Sequence, residues 1–392
     1  MNVVSRKPAD STAALAAPRC RRARPVLLAA AAAAASALTL LAAGPGAASA
    51  ATDRAASAQP TVAGVPWHKL TLLNHWRSDQ KFFNSGDPAW AIHDGVVYLR
   101  GVMDQSPRGF SASNTFAVLP KAARPARKLY LTVDADGVYG DLVIYPTGVM
   151  DVSSAAPLEA KSFTSLDGIS FPASPTTGHT LTLLNGWQSG QQFGTGNPAF
   201  WQKNGVVYLL GSLRAPSGFS SKNFAVLPPG AHPARVLYIN TEGYGGAPER
   251  ITIGTNGAMT VLSSQGDNFT SLAAISFPAA PTTGHKLTLI NGWQSSQSQY
   301  GTGDPGYWVS NGIVHLVGSL NQNPSDFDAQ FAVLPTAARP AHELVLPTYT
   351  NEGAFGYVII LPAGQIYVLN LGSDTSAKLY TSLANIAYPV SS

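Results

Sequence analysis

The chain has 392 residues, with 25 Lys/Arg against 21 Asp/Glu and a single cysteine. Charged residues make up 12% of it, about half the usual share, and Gly, Ser, Thr, Asn and Gln take their place. The 45% hydrophobic content is too high for a disordered chain.

The first fifty residues read as a secretory leader: a basic "RCRRAR" (Arg19 to Arg24), an apolar "PVLLAAAAAAASALTLLAA" (Pro25 to Ala43), and a small-residue cleavage signal at Ala48 to Ala50. The leader carries six Lys/Arg and one acid, which leaves 19 basic and 20 acidic residues in the mature chain. That balance offers no basic patch for nucleic acid. No second apolar run follows, so no transmembrane segment is expected in the mature chain. Cys20 leaves with the leader, so the exported chain needs a core stable without disulfides. Residues 51–66 read as a flexible linker.

Three copies of one unit follow: 67–175, 176–281 and 282–392. They open on "LTLLNHW", "LTLLNGW" and "LTLINGW", and the tryptophans Trp76, Trp187 and Trp293 are spaced by 111 and 106 residues. That period exceeds any solenoid repeat and matches a whole domain. Within each copy, hairpin turns fall at Asp94-Gly95, Asn204-Gly205 and Asn311-Gly312, then at Thr147-Gly148, Asn256-Gly257 and Ala363-Gly364. Between them lie a "FAVLP" strand and an "RPA" or "HPA" turn, and each copy closes on a "TSLAAISFP"-like strand. Seven or eight short strands per copy without a helical period predict an all-β chain of three tandem antiparallel β-sandwich, jelly-roll-like domains. The connectors "PASPTTGH" and "PAAPTTGH" read as stiff spacers that keep neighbours close.

Two-residue turns fix which hairpin residues share a face. Phe200, Gln202, Val207 and Leu209, with their counterparts Trp90, Ile92, Val97, Leu99 and Tyr307, Val309, Val314, Leu316, make the core face. The opposite face carries Trp201, Lys203, Val206, Tyr208 in the second copy, Trp308, Ser310, Ile313, His315 in the third, and Ala91, His93, Val96, Tyr98 in the first. That mixed face is expected to meet water or another domain. Its rings, Trp201, Tyr208, Trp308, His315 and Tyr98, are candidate ligand contacts, because flat aromatics stack on sugar C–H faces and also anchor interfaces. Asp136, Glu242 and Glu352, each before a glycine in one predicted loop, are candidate acceptors for sugar hydroxyls, or plain turn residues. The "NGW" tryptophans read foremost as core plugs, with a ligand contact as the lesser alternative. His68, His179 and His285 recur two residues before the first strand; one histidine per copy makes no zinc site, so a polar cap is expected. Ala91 in place of a tryptophan, and extra charge, suggest that the first copy is a platform.

No nucleophile elbow, zincin motif, phosphate loop or calcium loop is present, and neither a cofactor nor a metal is expected. Glycoside hydrolysis needs two carboxylates, and the second position varies between Asp87, Asn197 and Asp304. A non-catalytic protein is expected.

The order "LNGW … NGVVYLLGSL … FAVLPPGAHPA … TSLAAISF" resembles the receptor-binding β-sandwich domains of bacteriophage tail-fibre and baseplate proteins. The matching pieces are Asn185-Gly186-Trp187, Val206 to Gly211, Leu227 to Ala234 and Leu272 to Phe277, with Arg124-Pro125 and Arg339-Pro340 in the other copies against His232-Pro233. The resemblance spans nearly the whole mature chain. It implies an adhesive domain, normally trimeric, here repeated three times behind a bacterial-type leader. The expectation is a secreted, extracellular, multivalent adhesion protein for a cell-surface glycan or surface protein. It would act as a monomer whose repeats form a pseudo-threefold head or a strung-out array. The alternative is a structural or protein-interaction component of the cell surface.

Overall fold

The computed structural model describes residues 65–390 except 106–112, 216–220, 263–267, 371–373 and positions 175, 177, 283, 324, 326 and 327. The proposed leader and residues 51–64 of the linker lie outside the described residues. Residues Thr61–Ser392 form one compact unit that contains all three copies.

The fold is all-β, and every strand pair among the described residues is antiparallel. In the first copy a four-stranded sheet orders His68–Lys69, Ala89–His93, Val96–Arg100 and Ser170–Pro172. A three-stranded sheet joins Thr164–Ser165, Val102–Gln105 and Trp76–Ser78. A second four-stranded sheet orders Thr115–Val118, Val149–Ser154, Val138–Ile144 and Leu129–Ala135. The second and third copies repeat all three sheets in the same order. Each copy has eleven strands among the described residues, more than the seven or eight expected, because four of the eleven are only two or three residues long in the first copy and carry no readable alternation. Four short helices among the described residues also escaped the sequence pattern, Gln80–Phe83, Pro157–Ser162, Gln297–Tyr300 and Thr375–Leu379. Pro157–Ser162 and Thr375–Leu379 each bury one alanine, and Thr164 and Thr381 donate their hydroxyls to those alanines' carbonyls, Ala160 and Ala377.

Each copy has its own apolar core. Trp76, Trp187 and Trp293 are buried in it, edge-on or tilted against Phe116, Phe224 and Phe331 with ring centroids 6.0 Å apart. The indole N–H groups of Trp187 and Trp293 donate to Ser221 O and Asp328 O at 3.0 Å. The "RPA/HPA" signature has a local cause. Arg124 and Arg339 donate from Nε to the carbonyls of Leu119 and Leu334 at 3.1 and 3.0 Å, and a ring nitrogen of His232 meets Leu227 O at 2.9 Å. The turn glycine beside each must be glycine. A Cβ on Gly148 would lie 2.5 Å from Leu119 O, and its φ is +91°.

The three copies close on one another in a ring. Lys128 N–H donates to Gly194 O, Val236 N–H to Gly301 O and Glu343 N–H to Asn84 O, each at 3.1 Å. These are equivalent positions, so one contact is made from first copy to second, second to third, and third back to first. The acceptors sit in left-handed caps of a short helical turn, with φ between +49° and +83°.

Candidate functional site

The mixed hairpin face meets the other two copies rather than water. Val96, Tyr98, Val206, Tyr208 and Ile313 pack into one cluster where the three copies meet, and Trp67, Trp201 and Trp308 lie half-buried against it. His315 lies across the hairpin from Trp308, 5.4 Å between ring centroids, as Tyr208 does from Trp201. Tyr98, Tyr208 and His315 are 4%, 5% and 3% exposed. As sugar-stacking platforms these three are therefore corrected: a ring with no open face cannot receive a ligand in the closed assembly. Burial also holds His315 neutral, pushing its imidazole down to about 4.

The turns above this cluster converge too. Asp94 Oδ2 accepts from the Asn204 and Asn311 amides at 2.6 and 3.3 Å, and a ring nitrogen of His93 lies 2.8 Å from Asn311 O. Each turn asparagine or aspartate has a positive φ, as the hairpin signal requires.

The loop carboxylates do not form one set. Asp136 and Glu352 occupy left-handed turn positions, φ +59° and +55°. Glu352 is exposed; its carbonyl, not its carboxylate, is engaged, accepting from Arg250 of the second copy. Glu242 instead ends the strand Leu237–Glu242 and is buried in the seam with the first copy. Its carboxyl is raised well above the usual range by burial and by the nearby Asp141, with which it is hydrogen-bonded. The shared "Glu-Gly" pattern misaligned it: the strand pairing places it opposite Pro248 and level with Asp134, not Asp136. A carboxyl buried between two copies is an interface group, so Glu242 is corrected as a ligand acceptor.

The surface that remains open lies along the outer strand of the hairpin. His179 pairs with Phe200 in the ladder and lies tilted over its ring at 5.3 Å. With Thr180, Thr182, Trp201 and Gln202 they line a groove of about 850 Å³, whose far wall includes Val226 and Pro228. The other copies repeat the strip: exposed His68 stacks on Trp90 at 4.6 Å and exposed His285 on Tyr307 at 5.0 Å. Val118, Val226 and Val333 stand 45%, 48% and 46% exposed at one position of the "FAVLP" strand. Sequence reasoning missed these valines and took the histidines for caps. The signal was available: a β-branched residue two after a buried Phe shares its parity, yet leads straight into the proline turn where the sheet ends.

The copies differ in charge beside this strip. Lys69 pairs with Asp87, and Lys286 with Asp304 at 2.9 Å. These lysines hold both carboxylates below their usual range. In the second copy the same positions are Thr180 and Asn197, so no Lys, Arg, Asp or Glu lines its groove.

The first copy also resolves its missing tryptophan. Extending the ladder by one pair places Trp67 across from Ala91, Gly178 across from Trp201 and Gly284 across from Trp308. One large ring and one small residue occupy each pair, with the ring supplied from opposite strands. Trp67 is covered by the Arg100 guanidinium at 4.2 Å. The first copy is thus not lacking its ring.

Among the described residues no cluster of three or more His, Cys, Asp or Glu could hold a metal ion, and no helix is long and apolar enough to cross a membrane. No protein-family model, curated protein or solved structure matches this chain.

Proposed function

We propose that this chain is a secreted, non-catalytic, multivalent binding protein whose three β-sandwich modules form one pseudo-threefold adhesive head that recognises a cell-surface glycan. The observation that carries the reading is the aromatic groove of the second copy, with its strip repeated in the other two. Exposed His179 and half-buried Trp201 supply rings for sugar C–H groups, with Phe200 buried beneath as their support, and Thr180, Thr182 and Gln202 supply uncharged donors and acceptors for hydroxyls. An uncharged lining favours a neutral sugar, since a charged one would be desolvated there without a counter-charge.

Repetition gives such a site its strength. A single shallow platform binds weakly, whereas several on one rigid body raise avidity by roughly 10²–10⁴ when a surface presents the ligand densely. Closing the ring inside one chain lets a monomer do what the phage-type heads it resembles do as trimers. Export through the leader would deliver it outside the cell.

A glycan array probed with the mature chain tests this. Binding to neutral glycans is expected, and His179→Ala with Trp201→Ala is expected to lower it at least tenfold while the fold persists. The competing reading, a structural component of the cell surface, is favoured by how many hairpin rings are spent between copies. It prevails if Trp201→Ala and Trp308→Ala loosen the ring yet leave glycan binding as it was.

A further inference from the structure

Where the three hairpins meet, an apolar cluster encloses three polar side chains from equivalent positions: Tyr98, Tyr208 and His315. The Tyr98 and Tyr208 hydroxyls are hydrogen-bonded to each other. His315 Nε2 is buried and has no hydrogen-bond partner. Leaving such a nitrogen unsatisfied is costly, and the space beside it is lined by polar groups. All three side chains line a small cavity of about 20 Å³ between the hairpins, walled by Val96, Val206 and Ile313 and roofed by the convergent turns. A water molecule needs roughly 10–15 Å³ of such space and two to four polar partners.

We propose that Tyr208 and His315 hold one internal water molecule at the meeting point of the three copies. The proton pattern is consistent. Tyr98 donates to Tyr208, Tyr208 donates onward to the water, and the water donates to the lone pair of neutral His315 at Nε2. No charge is created, which suits side chains as deeply buried as Tyr208 and His315. The titratable or charged groups nearest it are His93 and Asp94 at the turns and Lys203 on the second hairpin, all lining the same cavity.

The site also explains why the three copies are not interchangeable at this level. Two tyrosines and one histidine give a directed chain with a single acceptor at its end. Three tyrosines would leave a hydroxyl proton competing for the same space. The water therefore acts as a polar key for ring closure, comparable to a buried polar residue that fixes register in a coiled coil. The inference does not depend on any ligand at the rim.

Water deuteron magnetic relaxation dispersion on the mature chain counts long-lived internal waters. His315→Phe removes the acceptor and is expected to lower the count by one, while Asn385→Ala, in the other cavity between the copies, leaves this water in place. A crystal structure is expected to show a rounded density about 3 Å from His315 Nε2. An unchanged count in His315→Phe, or His315 Nε2 bonded directly to a tyrosine hydroxyl with no density between, overturns the proposal. Should His315→Phe fail to fold, Tyr208→Phe removes the donor and reads the same count.

Discussion

The seam between the second and third copies and the seam that returns from third to first share one backbone contact and almost nothing else. In the former, Tyr238 stands against Tyr300, Tyr349 and Tyr380, with centroids 5.7 to 5.9 Å apart. In the latter the same position is Val345, packed on Phe163 and Val102. Here Asp167, 1% exposed, accepts from Gly101 N–H at 2.8 Å and from Val345 N–H of the third copy at 2.9 Å. The counterparts of Asp167 are Ala273 and Ala384. The difference teaches that backbone geometry fixes the ring, while each seam finds its own side-chain solution. The seam closed without a connecting peptide is the one that adds a buried carboxylate clamp.

The largest effect should come from removing the aromatic seam. Tyr380 is 2% exposed and touches Tyr238, Tyr300 and Tyr349. Tyr380→Ala is expected to lower unfolding free energy by about 3–5 kcal/mol, as large-to-small aromatic changes in cores do. Val345→Ala in the returning seam should cost about 2 kcal/mol, since two methyl groups are lost. Urea denaturation of both variants checks the ranking; equal losses would mean that the two seams contribute alike.

The clamp makes the returning seam sensitive to pH. Burial raises the Asp167 carboxyl to about 6 and that of Glu343, beside it, to about 7, against ordinary values of 3.8 and 4.5. A raised acid binds its proton more tightly in the folded state, so its contribution is greatest below the unfolded value and is lost as pH rises through the folded one. Stability should therefore fall between about pH 4 and pH 7. Asp167 alone accounts for about 3 kcal/mol of that fall, two pH units at 1.36 kcal/mol each. Arg100, in the same seam, limits it by favouring the ionised form. Asp167→Asn should flatten the profile between pH 4 and 6, measured as melting temperature against pH, and stability rising with pH over that window would contradict the assignment.

The exchange of rings in the first copy is testable with a double-mutant cycle. Trp67→Gly opens a hole over Ala91 and should cost about 2–3 kcal/mol. Ala91→Trp alone overpacks the same space at a cost of about 1–3 kcal/mol. Together they recreate the Gly–Trp pair of the other copies, and the double variant should recover to within about 1 kcal/mol of wild type. Additive losses would show that the two positions do not share one space.

Much of the architecture was legible because it rests on turn chemistry. Asn204-Gly205 and its counterparts set the hairpin register, and the observed pairing of Trp201 with Tyr208 and Phe200 with Leu209 is the one that register implies. The core face followed from parity, although Gln202 and Val309 at its outer edge are exposed because no strand covers them there. The site was harder to read. Alternation separates two faces of a ribbon but cannot say whether the second face meets water or a sister copy. Tyr208 and His315 looked available for that reason. Glu242 was grouped with Asp136 and Glu352 by a dipeptide, whereas the strand in the second copy runs on to Glu242 and buries it. Trp67 sat in the assumed linker border, where no periodicity could link it to Ala91.

The smallest effect on stability, and the sharpest on binding, should come from making the second copy resemble its neighbours at the rim. Thr180→Lys with Asn197→Asp recreates the Lys–Asp pair of the first and third copies beside the groove. An exposed ion pair contributes only about 0–1 kcal/mol, so the melting temperature should hardly move. Binding should respond, because a hydrated ammonium beside His179 and Trp201 keeps water where a neutral sugar face would displace it. Calorimetric titration with the best neutral glycan from the array is expected to show roughly tenfold weaker binding for the double variant. Unchanged affinity would place the ligand away from this groove, and the three strips would then count as equivalent despite their different charge.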